Sequence, residues 1–304
     1  MTGQTIHSPD QLAAAAGLTS LRASPRMPVL FLGHGSPMNA IEDNEYRRSW
    51  QALGDSLIRQ YGKPQLILCV SAHWLTQQDW AVTGMEKPRT IHDFGGFPQE
   101  LFAQQYPAPG APAVALELAE RLNAPQVDRP MLVDMAEWGL DHGTWSVIKP
   151  MFPTADIPVM QLSLVYERSP EEHFALGQQL RALREQGVLI VGSGNIVHNL
   201  RAMQRTSSGH QAYDWALEFD AHVADKVSSG DLAALARFHD LGQVAQMAHP
   251  TFEHYLPLLH AAGAVHPGET PQFFNSDFQM AAISMRSMIW GAADTPGIGL
   301  KHLG

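Results

Sequence analysis

The chain has 304 residues, of which 45% are hydrophobic, a proportion that is ordinary for a globular protein with a large core. Only 16% of the residues are charged, and 30 acidic against 20 basic residues give a formal net charge of −10, so a nucleic-acid partner, which needs a basic patch, is not expected. No apolar stretch reaches the ~20 residues of a membrane-spanning helix, and the N-terminus lacks a secretion signal, so neither a membrane partner nor export is expected.

Residues 1–26 are polar and rich in alanine, and we expect them to form a loosely attached N-terminal arm. The elements predicted next from hydrophobic periodicity are a strand at 29–32, a helix at 44–60, strands at 65–71 and 80–85, a helix at 111–123 and a short strand at 131–133. The single cysteine, Cys69, falls inside the second strand and is interpreted as a buried structural thiol, which fits a cytoplasmic protein. A loop rich in proline and glycine covers residues 86–110, and a loop of that length in a compact domain is usually functional.

The second half of the chain continues this alternation. The predicted elements are a strand at 157–165, a helix at 169–186, a strand at 188–192, helical segments from 210 to 260 with breaks at Gly230 and Pro250, and a final strand or strand pair at 280–290. No internal repeat or linker divides them. The sequence therefore predicts an α/β fold, with three αβα layers around a mostly parallel or mixed sheet, in a single domain that spans residues 27–304.

Three histidines follow predicted buried strands. His34 comes after the first strand, His73 after the second, and His198 shortly after the strand at 188–192, while His142 opens a predicted turn. Because α/β sheets bind ligands at the carboxyl ends of their strands, these side chains are expected at one rim of the sheet. Neutral imidazole is the commonest protein ligand of metals, so the group predicts a metal or catalytic site.

A further ligand is predicted around His254. Pro250 and Thr251 predict the start of a helix, which would place Glu253 and His254 in its first turn. Neighbouring side chains on a helix point roughly 100° apart, so only one of the two is expected to face a metal. We favour His254, with Glu253 as its competitor.

Other common catalytic motifs are absent. The chain has no GxxxxGK[ST] loop, no GxSxG elbow and no His-Glu-x-x-His pair, and Val197 stands where a dinucleotide fingerprint has its third glycine. Two alternatives stay open on the histidines alone. They are a zinc hydrolase that uses a metal-bound hydroxide and a metal sensor without turnover.

Six segments in order carry a more specific signal: Gly33-His34-Gly35-Ser36-Pro37-Met38-Asn39, Ser71-Ala72-His73-Trp74, Ile91-His92-Asp93-Phe94-Gly95-Gly96-Phe97-Pro98, Asp141-His142-Gly143-Thr144-Trp145, Asn195-Ile196-Val197-His198-Asn199-Leu200 and Glu253-His254-Tyr255-Leu256-Pro257. Together they resemble the 4,5-DOPA extradiol dioxygenases, a family of class III extradiol ring-cleavage enzymes related to protocatechuate 4,5-dioxygenase. The resemblance runs from about Met27 to the C-terminus. It implies a non-haem Fe(II) enzyme that opens a catechol ring beside its hydroxyls.

The resemblance also implies roles for individual histidines. His34 and His73 match the first two metal ligands of the family, and His254 matches a further ligand in its DOPA-dioxygenase branch. His198 matches a residue that serves as a ligand in that branch and as the acid–base residue in distant relatives, which complete their site with Glu. His142 matches a second pocket histidine, which we pair with His198 in catalysis. Because affinity favours Zn(II) over Fe(II) at such sites, zinc is expected in purified protein even if iron is the working metal.

The expected partners are a small aromatic diol and O₂. On the long loop, His92, Asp93 and Phe94 are predicted to contact the ring or its side chain, and a structural turn that packs Phe94 and Phe97 is the alternative. The sequence leaves open which catechol is used, where its ring is cut, and whether the enzyme is a monomer or a homodimer.

Overall fold

The computed structural model describes residues 18–122, 131–204 and 212–292. Its strands are β1 (Val29–Gly33), β2 (Leu66–Thr76), β3 (Ala81–Thr83), β4 (Leu132–Asp134), β5 (Val159–Val165), β6 (Val188–Gly194), β7 (Pro271–Phe274), β8 (Phe278–Gln279), β9 (Ile283–Ser284) and β10 (Ser287–Trp290). Its α-helices are α1 (Glu45–Tyr61), α2 (Gln99–Phe102), α3 (Pro112–Arg121), α4 (His142–Met151), α5 (Pro170–Leu180), α6 (Asp214–Ser228), α7 (Gln243–Ala248) and α8 (Leu256–Gly263). Among these described helices, none combines the length and the apolar character needed to cross a membrane.

Eight strands form one mixed sheet in the order β4-β3-β5-β2-β6-β1-β10-β7, and β8 pairs with β9 in a separate ribbon. The central strands β5, β2, β6 and β1 run parallel to one another. The pairs β3–β5, β1–β10 and β10–β7 are antiparallel. The carboxyl ends of the four central strands therefore lie along one edge of the sheet, where α/β folds bind ligands.

Helices cover both faces of the sheet. Successive side chains of a strand point to opposite faces, and in β1 Val29 and Phe31 join one buried cluster while Leu30 and Leu32 join another. The first cluster also contains side chains of α5, α6 and α8, and the second contains side chains of α1 and α4. This arrangement confirms the predicted three-layer α/β fold.

Most elements predicted from periodicity are present, with shifted boundaries. β2 continues to Thr76, five residues beyond its predicted end, and the predicted helix at 169–186 divides into α5 and a 3-10 segment at Arg181–Gln186. The predicted helical break at Gly230 is confirmed, since this residue has a φ of +75°. The predicted strand or strand pair at 280–290 is observed as β9 and β10, and the start of the helical region at 210 lies outside the described residues.

Among the elements that were not predicted, two show a clear physical reason. In α4 every residue except Lys149 is buried, so the helix has no polar face and leaves no amphipathic period in the sequence. It also contains Gly143 and Pro150, which disfavour a helix prediction. β7 begins with Pro271 and lies at the end of the sheet, one of the few places where proline fits a strand.

The predicted start of a helix at Pro250 is wrong. Residues 249–255 form bends and turns, and α8 begins at Leu256. The carbonyl of His254 accepts a hydrogen bond from the N–H of Asn195 (2.9 Å). This segment is therefore tied to the end of β6, and His254 lies in the turn that precedes the helix.

The described part of the N-terminal arm, residues 18–26, lies against the segment that follows α5. Leu18 is buried, and its N–H donates to Oε1 of Gln186 (3.1 Å). The N–H of Ser24 donates to the carbonyl of Glu185 (2.9 Å). Residues 1–17 lie outside the described residues, so the division into an arm and one catalytic domain stays a prediction.

Gly54 allows α1 to pack closely against α4, and its replacement tests this contact. A Cβ at this position would collide with the carbonyl oxygen of Met151 at the end of α4. We expect Gly54→Ala to lower the free energy of unfolding by at least about 1 kcal/mol, because overpacking outweighs the helix propensity of alanine. Urea unfolding followed by circular dichroism measures the change. Gln51→Ala, on the exposed face of α1, is the control, and a Gly54→Ala protein as stable as the wild type would contradict the close packing.

Candidate metal centre

Three histidines from distant parts of the chain meet at the carboxyl edge of the sheet. His34 directly follows β1, His73 lies near the end of β2, and His254 precedes α8. Their ring centroids are 5.1 Å (His34–His73), 5.3 Å (His34–His254) and 5.0 Å (His73–His254) apart. One nitrogen of each ring lies within 4.8 Å of the other two. The structure thus brings together three of the four predicted metal ligands.

An irregularity in β2 directs His73 into this group. The pairing of β2 with β5 is regular up to Val70 and resumes with a shifted register at Leu75. A bulge of this kind changes the direction in which side chains point. The N–H of His73 donates to Oγ of Ser71 (3.2 Å), which holds the irregular backbone in place.

Two glycines make room for the histidines. A Cβ on Gly194, at the end of β6, would collide with the carbonyl oxygen of His254. A Cβ on Gly143, in the first turn of α4, would collide with Oγ of Ser71 and lie 2.8 Å from Cδ2 of His73. The rings can converge because the backbone carries no side chain at these two positions.

In two of the rings the second nitrogen has a hydrogen-bond partner. Nδ1 of His34 lies 3.1 Å from Oγ of Ser193, whose hydroxyl donates to the carbonyl of Gly143. Nδ1 of His254 lies 3.0 Å from Oε1 of Glu253. Partners of this kind fix the ring and leave Nε2 for a metal. The position of Glu253 behind the ring favours His254 over Glu253 as the ligand.

The three histidines fit a single metal ion. Burial lowers the pKa of His34, His73 and His254 well below the usual value, and repulsion from neighbouring imidazoles lowers each pKa further. The rings are therefore neutral, as metal ligands must be. The Nε2 atoms of His34 and His73 lie 3.3 Å apart. Two nitrogens about 2.1 Å from one metal are separated by about 3.0 Å at a right angle and by about 3.4 Å at a tetrahedral angle.

A carboxylate joins His142 to this group. The ring centroid of His142 lies 3.9 Å from that of His73. Its backbone N–H donates to Oδ1 of Asp93 (2.9 Å), and its Nδ1 lies 2.9 Å from Oδ2 of Asp93, which is also 3.5 Å from Nδ1 of His73. Burial raises the pKa of Asp93, but the hydrogen bonds and charge of His142, with a contribution from His73, outweigh burial and bring that pKa to about 2. Asp93 is therefore ionised.

His198 lies against His254, outside the three-histidine cluster. The two rings stack with centroids 3.5 Å apart and an interplanar angle of 9°. Burial, reinforced by His249 and His142, lowers the pKa of His198 to about 3. One ring nitrogen of His198 lies within 4.8 Å of possible ligand atoms of Glu253 and His254. This second group of possible ligands contains neither His34 nor His73. Whether His198 acts as a ligand or as an acid–base residue stays a prediction.

All five of these histidines line a cavity of about 1140 Å³. The long loop contributes Asp93 and Phe94 to one wall. The lining also includes the apolar side chains of Leu200, Met203, Met280 and Ile283. Met203, Met280 and Ile283 were not predicted, because they belong to none of the quoted segments, and Leu200 ends one of those segments but was assigned no role.

His92 is not among the described residues that line this cavity. Its Nε2 lies 2.9 Å from the carbonyl oxygen of Gln104. Its ring packs against Phe94 and Trp145, with centroids 5.8 Å away in both cases. Of the three predicted substrate contacts, Asp93 and Phe94 therefore face the cavity, whereas His92 supports Phe94 from behind.

Comparison with known proteins identifies the family. Residues 28–286 match the family described as the catalytic LigB subunit of aromatic ring-opening dioxygenase. The chain belongs to this family. The match covers seven of the eight strands of the sheet, all except β10, and all five histidines of the site.

Several relatives of this LigB-family chain resemble it over most of their length. It is 46% identical to the 4,5-DOPA dioxygenase extradiol of Escherichia coli K12 over 271 residues, 88% of this chain and 96% of the relative. It is 33% identical to the 4,5-DOPA dioxygenase extradiol of Beta vulgaris over 261 residues, 84% and 94% of the two chains. A crystal structure of an uncharacterized protein from Escherichia coli K12 matches with a TM-score of 0.73 and 40% identity, covering 88% of this chain and all of the other. These matches support extradiol ring cleavage and give no support to the zinc hydrolase alternative.

Gly143 offers a test of how the metal centre is packed. We expect Gly143→Ala to displace His73 and to reduce the metal bound per chain at least several-fold, because the added methyl group occupies the place of the ring. Inductively coupled plasma mass spectrometry of the dialysed protein measures the metal content. Gly95→Ala is a matched control, since a Cβ on Gly95 meets open space at the same cavity. Equal metal content in both variants would argue against this packing.

Proposed function

We propose that this dioxygenase opens the ring of a catechol of the L-DOPA type beside its hydroxyls, with O₂ and one Fe(II) ion. The observation that supports the proposal is the three-histidine cluster at a large cavity, flanked by His142 and His198. The names of two relatives, both 4,5-DOPA dioxygenases, support the substrate class.

We assign His34, His73 and His254 as the metal ligands, with His198 as a fourth candidate. A metal ion held by these residues would supply a Lewis acid and a redox-active centre for the reaction of the diol with O₂. A small number of protein ligands leaves coordination positions open for both reactants. Because Zn(II) binds nitrogen ligands more tightly than Fe(II), we expect purified protein to carry zinc as well.

We propose that His142 and His198 move the protons. A catechol gives up hydroxyl protons before its ring opens, and a proton is returned afterwards. A neutral imidazole can accept a proton as the substrate hydroxyl releases it and can return that proton in a later step. His142 adjoins His73, and His198 adjoins His254, so both rings border the place where the substrate would bind. Phe94 is assigned to contact the substrate ring.

We also propose that the enzyme is cytoplasmic, acts as a monomer or homodimer, and has no nucleic-acid partner. The net charge of −10 and the single cysteine support this setting. Residues 27–304 are proposed as the catalytic domain, and residues 1–26 as an arm.

Metal content of histidine variants tests the ligand assignment. We expect His34→Ala and His73→Ala to lose the metal, because each removes one of three ligands, whereas His142→Ala should keep the metal and lose rate. Iron and zinc per chain are measured after reconstitution and dialysis, and the rate by O₂ uptake. Full metal occupancy in His34→Ala would contradict the assignment.

The reaction itself is tested by anaerobic reconstitution. Metal-free protein is loaded with Fe(II), mixed with L-DOPA or caffeate, and exposed to air. We expect uptake of one O₂ per catechol and a yellow ring-opened product. Protein loaded with Zn(II) is the matched control, because zinc has no redox chemistry. No O₂ uptake with any catechol despite bound Fe(II) would refute the proposal.

A further inference from the structure

Both carboxylate oxygens of Asp93 lie 2.9 Å from nitrogens of His142, and Oδ2 also lies 3.5 Å from Nδ1 of His73. We infer that Asp93 is a positioning residue that fixes the ring and the tautomer of His142, with the proton on Nδ1 and the lone pair of Nε2 available to the cavity. This role goes beyond the substrate contact expected for Asp93.

The contact has two points. Oδ1 of Asp93 accepts the backbone N–H of His142 (2.9 Å), and Oδ2 lies 2.9 Å from Nδ1 of the same residue. Nδ1 is buried and has no partner of hydrogen-bond geometry among the described residues, and Oδ2 of Asp93 lies at ion-pair distance from it. A buried polar group without a partner costs about 1–3 kcal/mol. A proton on Nδ1 is therefore stabilised by Asp93, while Nε2 belongs to a ring that lines the cavity.

The neighbouring Asp141 cannot take this part. Its carboxylate is fully buried and accepts hydrogen bonds from Oγ of Ser71 and Nε2 of Gln161, both at 2.7 Å. It also caps the N-terminus of α4. Asp141 thus determines where the helix that carries His142 begins, and Asp93 determines how the ring of His142 is turned.

The loop that carries Asp93 is tied to both sides of the start of α4. The N–H of Ile91 donates to the carbonyl of Leu140 (2.8 Å), and Nε1 of Trp145 donates to the carbonyl of Ile91 (2.8 Å). These two hydrogen bonds hold the backbone of the loop, two residues before Asp93, beside the start of α4. Such anchoring is what a positioning residue requires.

The tautomer decides what Nε2 can do. With the proton on Nδ1, the lone pair of Nε2 can take one proton from a substrate hydroxyl, whose oxygen keeps the bonding electrons, and can later return it. With the proton on Nε2, the neutral ring can only donate a hydrogen bond at that nitrogen and cannot accept a proton there. In a histidine held by aspartate, exchange of the carboxylate for an amide has cost about 10⁴-fold in kcat through the wrong tautomer.

Nitrogen-15 NMR of the histidine rings tests the tautomer directly, in metal-free and Zn(II)-loaded protein, with His142 assigned from the spectrum of His142→Gln. We expect Nδ1 of His142 to be protonated in the wild type. In Asp93→Asn we expect Nε2 to be protonated, because the new amide can donate to Nδ1 while its oxygen keeps the backbone N–H. Asp55→Asn, on the exposed side of α1, removes the same charge and should change nothing.

Two results would overturn the assignment. One is a wild-type His142 with its proton on Nε2, a result that does not depend on the folding of any variant. The other is a folded Asp93→Asn protein with an unchanged His142 tautomer.

The kinetic consequence rests on the proposed function and is measured separately. With Fe(II) and L-DOPA, we expect Asp93→Asn to lower kcat roughly 10²–10⁴-fold with little change in KM. In a His142→Gln background the same change should cost nothing further, because the two residues act as a unit. If the losses in kcat of the two variants add, or if the loss in Asp93→Asn disappears when rates are expressed per bound iron, Asp93 acts through His73 instead. An inactive wild type would refute the proposed function, and the NMR result would still decide the role of Asp93.

Discussion

The parallel pairing of β1, β6 and β2 is the interaction on which the site depends. Parallel neighbours end at the same edge of a sheet, so the residues that follow or end them are brought together however far apart they lie in the chain. His34 follows β1, Ser193 lies in β6, and 159 positions separate them, yet their side chains are 3.1 Å apart. The glycines at the ends of these strands keep the backbone close enough for the rings to meet.

The convergence of three imidazoles carries an electrostatic cost. Burial and mutual repulsion both oppose protonation, which is why the pKa of His34, His73 and His254 lies so far below the usual value. Neutral rings with converging lone pairs are poor neighbours for each other and good ligands for a cation. A metal that binds only the folded chain therefore also stabilises it, by an amount that grows with metal concentration.

The two carboxylates of the site both stand behind imidazoles. Glu253 contacts Nδ1 of His254, and Asp93 contacts Nδ1 of His142 and lies near Nδ1 of His73. In this position a carboxylate orients a ring and increases its basicity. The arrangement places a carboxylate at one nitrogen of each of these rings, while the rings of His73 and His142 lie side by side.

The sequence by itself determined the central strands, because runs such as Val29–Gly33 must be buried on both faces, and it determined that His34 and His73 stand near their carboxyl ends. The ordered motifs identified the family. Other features depended on the tertiary structure: the turn that presents His254, the stacking of His198 on His254, the helix that begins at His142, and the lining of the cavity by Met280. Local periodicity reports which side chains are buried, whereas contacts between distant segments depend on strand order, on a bulge in β2 and on the space left by glycines. Those constraints act between residues that no local pattern connects, so only the folded chain could decide them.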